Sequence, residues 1–309
     1  MNNSPIRVGF DGGGTRSRLV VRTIDGTVSK QEFGLSIKYT DVGVAESVRR
    51  FTKMLQSLAP IENWKEAQIA LSLSGASDEV KNKEWKKSLA ATYPEKNISC
   101  YIEGDASCSL AAAYPNTESG YLLIAGTGSV AIGRDRNGKL YKTGGLGRLL
   151  GDEGSGYWIG LQALKWFVDL EDSAGSRVGG CGLRVGKLGE AINTFLQPET
   201  GGEFSVLREK LYSNEISPAR LAPLVFQCSD DPIALDILEQ GATALARLIT
   251  SVKAKADGNI EPIITLHGSL CLQPVYSELI SEALEDKYEI RILDEWAVAE
   301  HCLNLDVMR

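Results

Sequence analysis

The chain has 309 residues, 43% of them hydrophobic, so it can bury a substantial core, and its length suggests two domains. Its 33 Lys and Arg residues against 40 Asp and Glu residues give a net charge of -7, and no basic run is typical of a nucleic-acid or membrane surface. The amino terminus runs into a predicted strand without an apolar signal region. We therefore predict a cytoplasmic protein with neither a nucleic-acid nor a membrane partner.

The first predicted element is a glycine-rich hairpin, and a second copy of it begins near residue 120. Residues 6–28 and 120–140 each contain an apolar run, a turn of Gly, Thr and Ser, a second apolar run and a hairpin dipeptide, Asp25-Gly26 or Asn137-Gly138. The backbone N–H groups of such glycine turns form a concavity that suits phosphates. The alternative is a pair of ordinary hairpin turns.

Helices and strands alternate between the two hairpins. Apolar spacing predicts a helix over residues 41–58, a buried strand over 69–73, a helix over 79–91, a strand over 98–103 and a helix over 104–114. This alternation is typical of an α/β domain. The turn-rich residues 115–120 place a domain boundary after it.

The second half of the chain follows a similar order. After its hairpin come a glycine-rich loop over residues 144–156, helices over 157–170 and 232–254, a strand over 262–266, a helix over 274–284, a strand over 288–293 and a terminal helix from about residue 295. We predict one domain over residues 1–115, with the helix over 295–309 packing back on it, and a second over residues 116–294.

Several common sites are absent from the sequence. The cysteines contain no CxxC pair, which argues against a zinc ribbon and a dithiol redox site, and reduced thiols are expected at Cys100, Cys108, Cys181, Cys228, Cys271 and Cys302. The GxxxxGK[ST] phosphate motif and the GxSxG elbow of serine hydrolases are also missing.

Three separated motifs resemble those of the BadF/BadG/BcrA/BcrD group, which includes N-acetylglucosamine kinase. They are Asp11-Gly12-Gly13-Gly14-Thr15, Gly126-Thr127-Gly128-Ser129 and Gly151-Asp152-Glu153-Gly154-Ser155-Gly156-Tyr157-Trp158. The resemblance implies an α/β fold of two duplicated actin-like, or ribonuclease H-like, ATPase domains. It also implies a cleft between these domains for nucleotide and sugar.

The resemblance implies that ATP and Mg²⁺ are the cofactors. The first phosphate loop would be Gly12, Gly13, Gly14 and Thr15, and the second Gly126, Thr127, Gly128 and Ser129. Gly268 and Ser269 resemble the adenosine-binding segment, and Asp11 would orient Mg²⁺ through water, because Mg²⁺ usually keeps several waters. For Gly268, Ser269 and Asp11 the alternative is an ordinary turn position.

The resemblance also implies catalytic and sugar-binding residues. Asp105 resembles the catalytic base, and the alternative is a helix N-cap, a position that Asp favours. The residues that resemble the sugar side are Ser74, Gly75, Gly145, Leu146, Gly147 and Asp152. Glu153 and Ser155 are alternatively caps of the next helix.

Three positions depart from the N-acetylglucosamine kinase pattern. Lys38 stands where an Asn contacts the sugar, Leu146 where a Trp is found, and Val130 where an Asn is found. One hypothesis is that Lys38 meets an anionic group such as that of N-acetylmuramate. The alternative is a solvated surface lysine.

The function implied is an ATP-dependent sugar kinase acting on the primary hydroxyl of an amino sugar, N-acetylglucosamine or a related N-acetylhexosamine such as N-acetylmuramate. Two alternatives remain at this point. One is an activator ATPase that drives electron transfer and holds an iron–sulfur cluster, and such a cluster needs cysteine ligands. The other is a non-catalytic sugar or nucleotide sensor. The expected partner is a small-molecule sugar, and a homodimer is left open.

Overall fold

The computed structural model describes residues 5–76, 78–174, 186–285 and 287–307. The chain divides into two compact units. The first unit comprises Met1–Thr117 together with Asp294–Arg309, and the second comprises Glu118–Leu293. Each unit contains one five-stranded sheet.

The sheet of the first unit combines an antiparallel hairpin region with a parallel region. Its strands are β1 (Ile6–Gly12), β2 (Ser17–Arg22), β3 (Val28–Phe33), β4 (Glu66–Leu73) and β5 (Asn97–Gly104). Their order is β3-β2-β1-β4-β5. Strand β2 is antiparallel to both of its neighbours, β1 and β3, whereas β1, β4 and β5 are parallel. The hairpin turn at Gly26, where φ is 88°, follows the sequence prediction.

The helices between residues 39 and 113 cover this sheet. They are α1 (Tyr39–Val42), α2 (Val44–Leu58), α3 (Glu79–Thr92) and α4 (Asp105–Ala113). The single helix predicted over residues 41–58 is wrong at its start, because Gly43 adopts φ 82° and separates α1 from α2. The buried rings of Phe10, Phe51 and Trp85 make successive edge-on contacts at 5.3 Å and join sheet to helices.

The sheet of the second unit repeats the topology of the first. Its strands are β6 (Gly120–Ala125), β7 (Ser129–Arg134), β8 (Leu140–Gly144), β9 (Ile263–His267) and β10 (Glu289–Ile292). The order β10-β9-β6-β7-β8, with β6 antiparallel to β7 and parallel to β9, matches the first sheet strand for strand. This repetition confirms the predicted duplicated α/β fold.

The helices of the second unit form a larger layer. They are α5 (Gly156–Ala174), α6 (Gly186–Thr200), α7 (Phe204–Tyr212), α8 (Ala222–Gln227), α9 (Pro232–Lys255) and α10 (Pro274–Ala283). The apolar face of α9 is buried, and it includes Leu238, Leu245 and Ile249. Over the part of the chain that the structure describes, no helix is long and apolar enough to cross a membrane.

The last helix, α11 (Ala297–Asn304), packs on the sheet of the first unit. Val20 of β2 forms a buried cluster with Ala299 and Leu303. A Cβ on Gly9 would lie 2.0 Å from the Ala299 carbonyl oxygen, so only glycine permits this close approach of strand and helix. Arg18 Nη2 donates to Glu295 Oε2 at 3.1 Å and fixes the segment just before the helix.

Candidate active site

The predicted site residues of the first unit share one edge of its sheet. The parallel strands β1, β4 and β5 end level with one another, since Gly12 pairs with Leu73 and Leu73 with Gly104. The segments that follow these strands carry the predicted phosphate, sugar and base residues, and all emerge at this edge. In α/β sheets the carboxyl ends of the strands are where ligands bind.

The turn between β1 and β2 exposes its backbone at this edge. The Gly13 amide donates to the Arg16 carbonyl at 3.0 Å and closes the turn, while Gly14 and Thr15 are exposed at its tip. A Cβ on Gly12 would lie 2.7 Å from the Leu73 side chain, so the chain is packed tightly where it enters the turn. A tight glycine turn with an exposed tip allows close approach of a phosphate.

Asp11 lies at the base of this turn and is only 9% exposed. The Ser72 hydroxyl donates to its Oδ1 at 3.3 Å. Burial, and next the negative charge of Asp105, raise the pKa of Asp11 to about 6, whereas the Arg18 guanidinium and the Ser72 hydrogen bond act in the opposite direction. Asp11 and Asp105 are therefore near enough for their negative charges to interact.

The residues present fit Mg²⁺ held largely by water and phosphate. Among the described residues, no group of three or more His, Cys, Asp or Glu side chains is placed to hold a metal ion. Mg²⁺ in phosphate-transfer sites typically takes one or two carboxylates and keeps several waters. The Asp11 carboxylate at the base of the glycine turn suits that mode of binding.

Asp105 is the first residue of α4, and the helix N-cap is Gly104. The structure therefore places Asp105 one residue beyond the N-cap position considered as its alternative. Its Oδ1 accepts a hydrogen bond from the Ala106 amide at 2.8 Å, which orients the half-buried carboxylate at the sheet edge.

Lys38, Ser74 and Gly75 lie together beside the turn. The Ser74 amide donates to the Gly12 carbonyl at 3.1 Å. Lys38 Cε is 3.7 Å from where a Cβ on Gly75 would be, and Lys38 Nζ is 3.3 Å from Asp41 Oδ1. The lysine side chain is 30% exposed and rests against the predicted sugar loop, so it is not a fully solvated residue.

The second unit joins its predicted phosphate loop directly to its predicted sugar residue. The Ser129 amide donates to Asp152 Oδ1 at 3.2 Å, and the Ser129 hydroxyl donates to the Glu153 carbonyl at 2.8 Å. The Gly156 amide donates to the Gly126 carbonyl at 2.8 Å. The loop over residues 126–129 and the segment over residues 151–156 are therefore one hydrogen-bonded structure.

Asp152 has a strained backbone within this structure. Its φ is 64°, in the left-handed region that non-glycine residues seldom adopt. Such strain persists where the surroundings enforce it, and it is often found at functional sites. The Ser155 hydroxyl accepts a hydrogen bond from the Trp158 amide at 3.2 Å and so caps the start of α5. This contact confirms the capping role considered for Ser155.

The predicted sugar residues Gly145, Leu146 and Gly147 are exposed and lie on the same loop structure. The Gly145 amide donates to the Ser129 carbonyl at 2.9 Å, and both glycines have positive φ, 68° and 81°. Leu146 is 68% exposed. A large apolar side chain held out by two left-handed glycines is available to a ligand.

Gly268 and Ser269 follow β9, and they lie at the same sheet edge as Gly126 because β6 and β9 are parallel neighbours. At Gly268 φ is 98°, and a Cβ would lie 2.4 Å from the Ala125 carbonyl oxygen. This close approach explains why glycine is required here.

Two residues that act on the site were not selected from the sequence. Arg18 lies opposite Asp11 in the antiparallel register of β1 and β2. The two residues are equally far from the centre of the glycine turn, and this spacing in the sequence indicates that register. The Tyr276 hydroxyl donates to the Gly154 carbonyl at 2.7 Å, and no local signal marks it. The cysteines Cys100, Cys108, Cys228, Cys271 and Cys302 are free, and Cys181 lies outside the described residues.

Comparison with known proteins extends this picture. A model of the BadF/BadG/BcrA/BcrD ATPase family matches residues 8–298. The chain is 27% identical over 303 residues to N-acetyl-D-glucosamine kinase of Dictyostelium discoideum, covering 92% of this chain and 91% of the relative. It is 29% identical over 175 residues to N-acetylmuramic acid/N-acetylglucosamine kinase of Clostridium acetobutylicum, covering 55% and 56%. A crystal structure from Chromobacterium violaceum, of a protein proposed to be an N-acetylglucosamine kinase, has the same fold, with a TM-score of 0.71 at 23% identity over 97% of this chain and 98% of that one.

Proposed function

This chain belongs to the BadF/BadG/BcrA/BcrD ATPase family, and we propose that it is an ATP-dependent carbohydrate kinase that phosphorylates the primary hydroxyl of an amino sugar. The observation that carries the proposal is the placement of Asp11 and Asp105 beside the glycine turn of β1 and β2 at one sheet edge. The named relatives, which are kinases of N-acetylglucosamine and N-acetylmuramic acid, support the amino sugar.

The glycine turns bind the nucleotide. The turn over residues 12–15 in the first unit and the turn over residues 126–129 in the second each offer backbone N–H groups to phosphate oxygens. Gly268 and Ser269 contact the adenosine. Asp11 would hold Mg²⁺ through water, and the metal would supply neutralisation of charge on the phosphates.

Asp105 acts as the general base. Its carboxylate accepts the proton of the sugar hydroxyl while that oxygen forms a bond to the γ-phosphorus and the bond from the γ-phosphorus to ADP breaks. The hydrogen bond from the Ala106 amide to Oδ1 keeps the carboxylate oriented. General base catalysis contributes about 10²- to 10⁴-fold in rate, and positioning and electrostatic stabilisation supply most of the remainder in phosphoryl transfer.

Each unit carries residues that we propose for sugar binding. Asp152 accepts hydrogen bonds from sugar hydroxyls, and Ser74, Gly75 and the loop over residues 145–147 line the sugar. The preferred acceptor is N-acetylglucosamine, and Lys38 extends acceptance to N-acetylmuramate by pairing with its carboxylate. The support for this pairing is the position of Lys38 against Gly75.

The test is ADP release with ATP and Mg²⁺ in the presence of glucosamine, N-acetylglucosamine, N-acetylmuramate, N-acetylmannosamine or glucose. We expect an amino sugar to stimulate turnover, and Asp105→Asn to lower kcat by about 10²- to 10⁴-fold. Asp257→Asn is the matched control, because Asp257 is exposed and its φ of 50° suits asparagine. ATP binding without any sugar-stimulated turnover would refute the kinase assignment.

A second variant tests the acidic sugar. Lys38→Gln removes a charged hydrogen bond, so we expect the KM for N-acetylmuramate to rise about tenfold while that for N-acetylglucosamine stays the same. Lys53→Gln, on the exposed face of α2, is the control. Equal changes in both KM values, or a wild-type enzyme that does not use N-acetylmuramate, would show that Lys38 does not recognise the carboxylate.

A further inference from the structure

Tyr276 is a buried tyrosine of α10 whose hydroxyl reaches the loop of Asp152. It is fully buried, its hydroxyl donates to the Gly154 carbonyl at 2.7 Å, and burial raises the pKa of that hydroxyl above its usual range. The ring of Phe226 packs edge-on against it at 5.5 Å. The hydroxyl therefore remains a neutral donor in a fixed position.

Gly154 is enclosed from two sides at this contact. A Cβ on Gly154, where φ is 74°, would lie 2.5 Å from the Gly241 carbonyl oxygen of α9. A Cβ on Gly241 would in turn lie 2.5 Å from the Tyr276 hydroxyl. Backbone of the loop, backbone of α9 and the tyrosine hydroxyl thus meet at van der Waals distance, and two glycines make this possible.

The same loop is held at its other end by the phosphate turn. Asp152 lies two residues before Gly154, has a left-handed backbone, and receives the Ser129 amide. Because only Glu153 separates Asp152 from Gly154, a shift of the Gly154 carbonyl is transmitted to the backbone dihedrals of Asp152. A strained conformation such as this one depends on contacts at both ends.

We propose that Tyr276 is a positioning residue for Asp152, which acts on sugar binding through Gly154 without touching the substrate. The inference rests on the proposed function, because that function assigns the sugar hydroxyls to Asp152. Loss of the tyrosine hydroxyl leaves the buried Gly154 carbonyl without this donor, and the loop then samples other conformations. Sugar binding weakens, and nucleotide binding by the glycine turns remains.

Tyr276→Phe is the direct test, with Tyr121→Phe as its control. Tyr121 is a buried tyrosine of β6 in the same unit, so its variant reports the general cost of removing a buried hydroxyl. We expect Tyr276→Phe to raise the sugar KM about fivefold with an unchanged KM for ATP, and Tyr121→Phe to change neither. The new methyl group of Gly241→Ala on α9 would displace the Tyr276 hydroxyl, so this variant should change the two KM values in the same way as Tyr276→Phe.

Hydrogen–deuterium exchange over residues 151–158 provides a readout that does not need turnover. Faster exchange there in Tyr276→Phe than in Tyr121→Phe is the expected result. Equal exchange in the two variants, or a KM for ATP that rises as much as the sugar KM, overturns the positioning role. A wild-type protein without sugar-stimulated turnover refutes the proposed function instead, and the exchange comparison still decides whether Tyr276 fixes the loop.

Discussion

Replacing Gly128 by alanine places a methyl group against the Asp152 carboxylate. The new Cβ would lie 3.0 Å from Asp152 Oδ2 and 3.1 Å from Cγ, whereas ordinary contacts begin at 3.4 Å. The carboxylate must therefore move by a few tenths of an ångström. Its hydrogen bond from the Ser129 amide, already 3.2 Å long, then stretches toward the distance at which it is lost.

The size of the effect follows from that hydrogen bond. A hydrogen bond to a charged group contributes about 1.5–3 kcal/mol, so losing about half of the larger value raises the sugar KM about tenfold. Gly126→Ala is the matched control, because it makes the same change in the same turn and its Cβ meets nothing within 4 Å. The assay measures the sugar KM at saturating ATP and the KM for ATP at saturating sugar.

We expect the sugar KM of Gly128→Ala to exceed that of Gly126→Ala about tenfold, while the two variants have the same KM for ATP. Equal sugar KM values in the two variants would refute the reasoning, because they would mean that the position of Asp152 does not depend on the phosphate turn. A KM for ATP that rises only in Gly128→Ala would refute it as well, since the methyl group would then act on the nucleotide.

Three further predictions concern stability and reactivity. At pH 7.5 we expect the unfolding free energy of Asp11→Asn in urea to exceed that of the wild type by about 3 kcal/mol, because folding raises the pKa of Asp11 from 3.8 to about 6. The gain should vanish as the pH falls from 6 to 4, and equal stability at pH 7.5 would contradict it. Gly9→Ala should lower the unfolding free energy by about 3 kcal/mol, because the new methyl group clashes with α11. The control Gly34→Ala, which has open space around its Cβ, should change it by less than about 0.5 kcal/mol, and equal urea midpoints of the two variants would disprove the clash. Cys271 is buried and its pKa is raised to about 12, so it should react with iodoacetamide at pH 8 only after unfolding. Labelling of Cys271 itself in the folded protein would count against its burial.

Local patterns in the sequence predicted most of the elements that form the sheet edges. The hairpin dipeptide at Gly26 and the apolar spacing of α9 act within a few residues, so the sequence indicates them directly. The repeated hairpin also predicted that the two sheets share one topology. The boundary error at Gly43 arose because apolar spacing continues through a residue whose positive φ interrupts the helix.

Contacts between distant residues could not be predicted in this way. Asp152 and Ser129 are joined by a hydrogen bond across 23 residues, and Tyr276 and Gly154 across 122 residues. Such pairs depend on how helices pack on the sheet, and the periodicity of a single sequence does not indicate that packing. The resemblance selected Asp152 as a sugar residue, but its attachment to the phosphate turn required the structure.

The position of α11 has a consequence for the order in which the chain folds during synthesis. The second unit is one continuous stretch, so it can fold as soon as it leaves the ribosome. The first unit waits longer, because the surface of Gly9 and Val20 stays uncovered until residues 297–304 have been made. The unit that begins the chain is therefore completed last, and nascent chains must keep that apolar surface from aggregating while the second unit is translated.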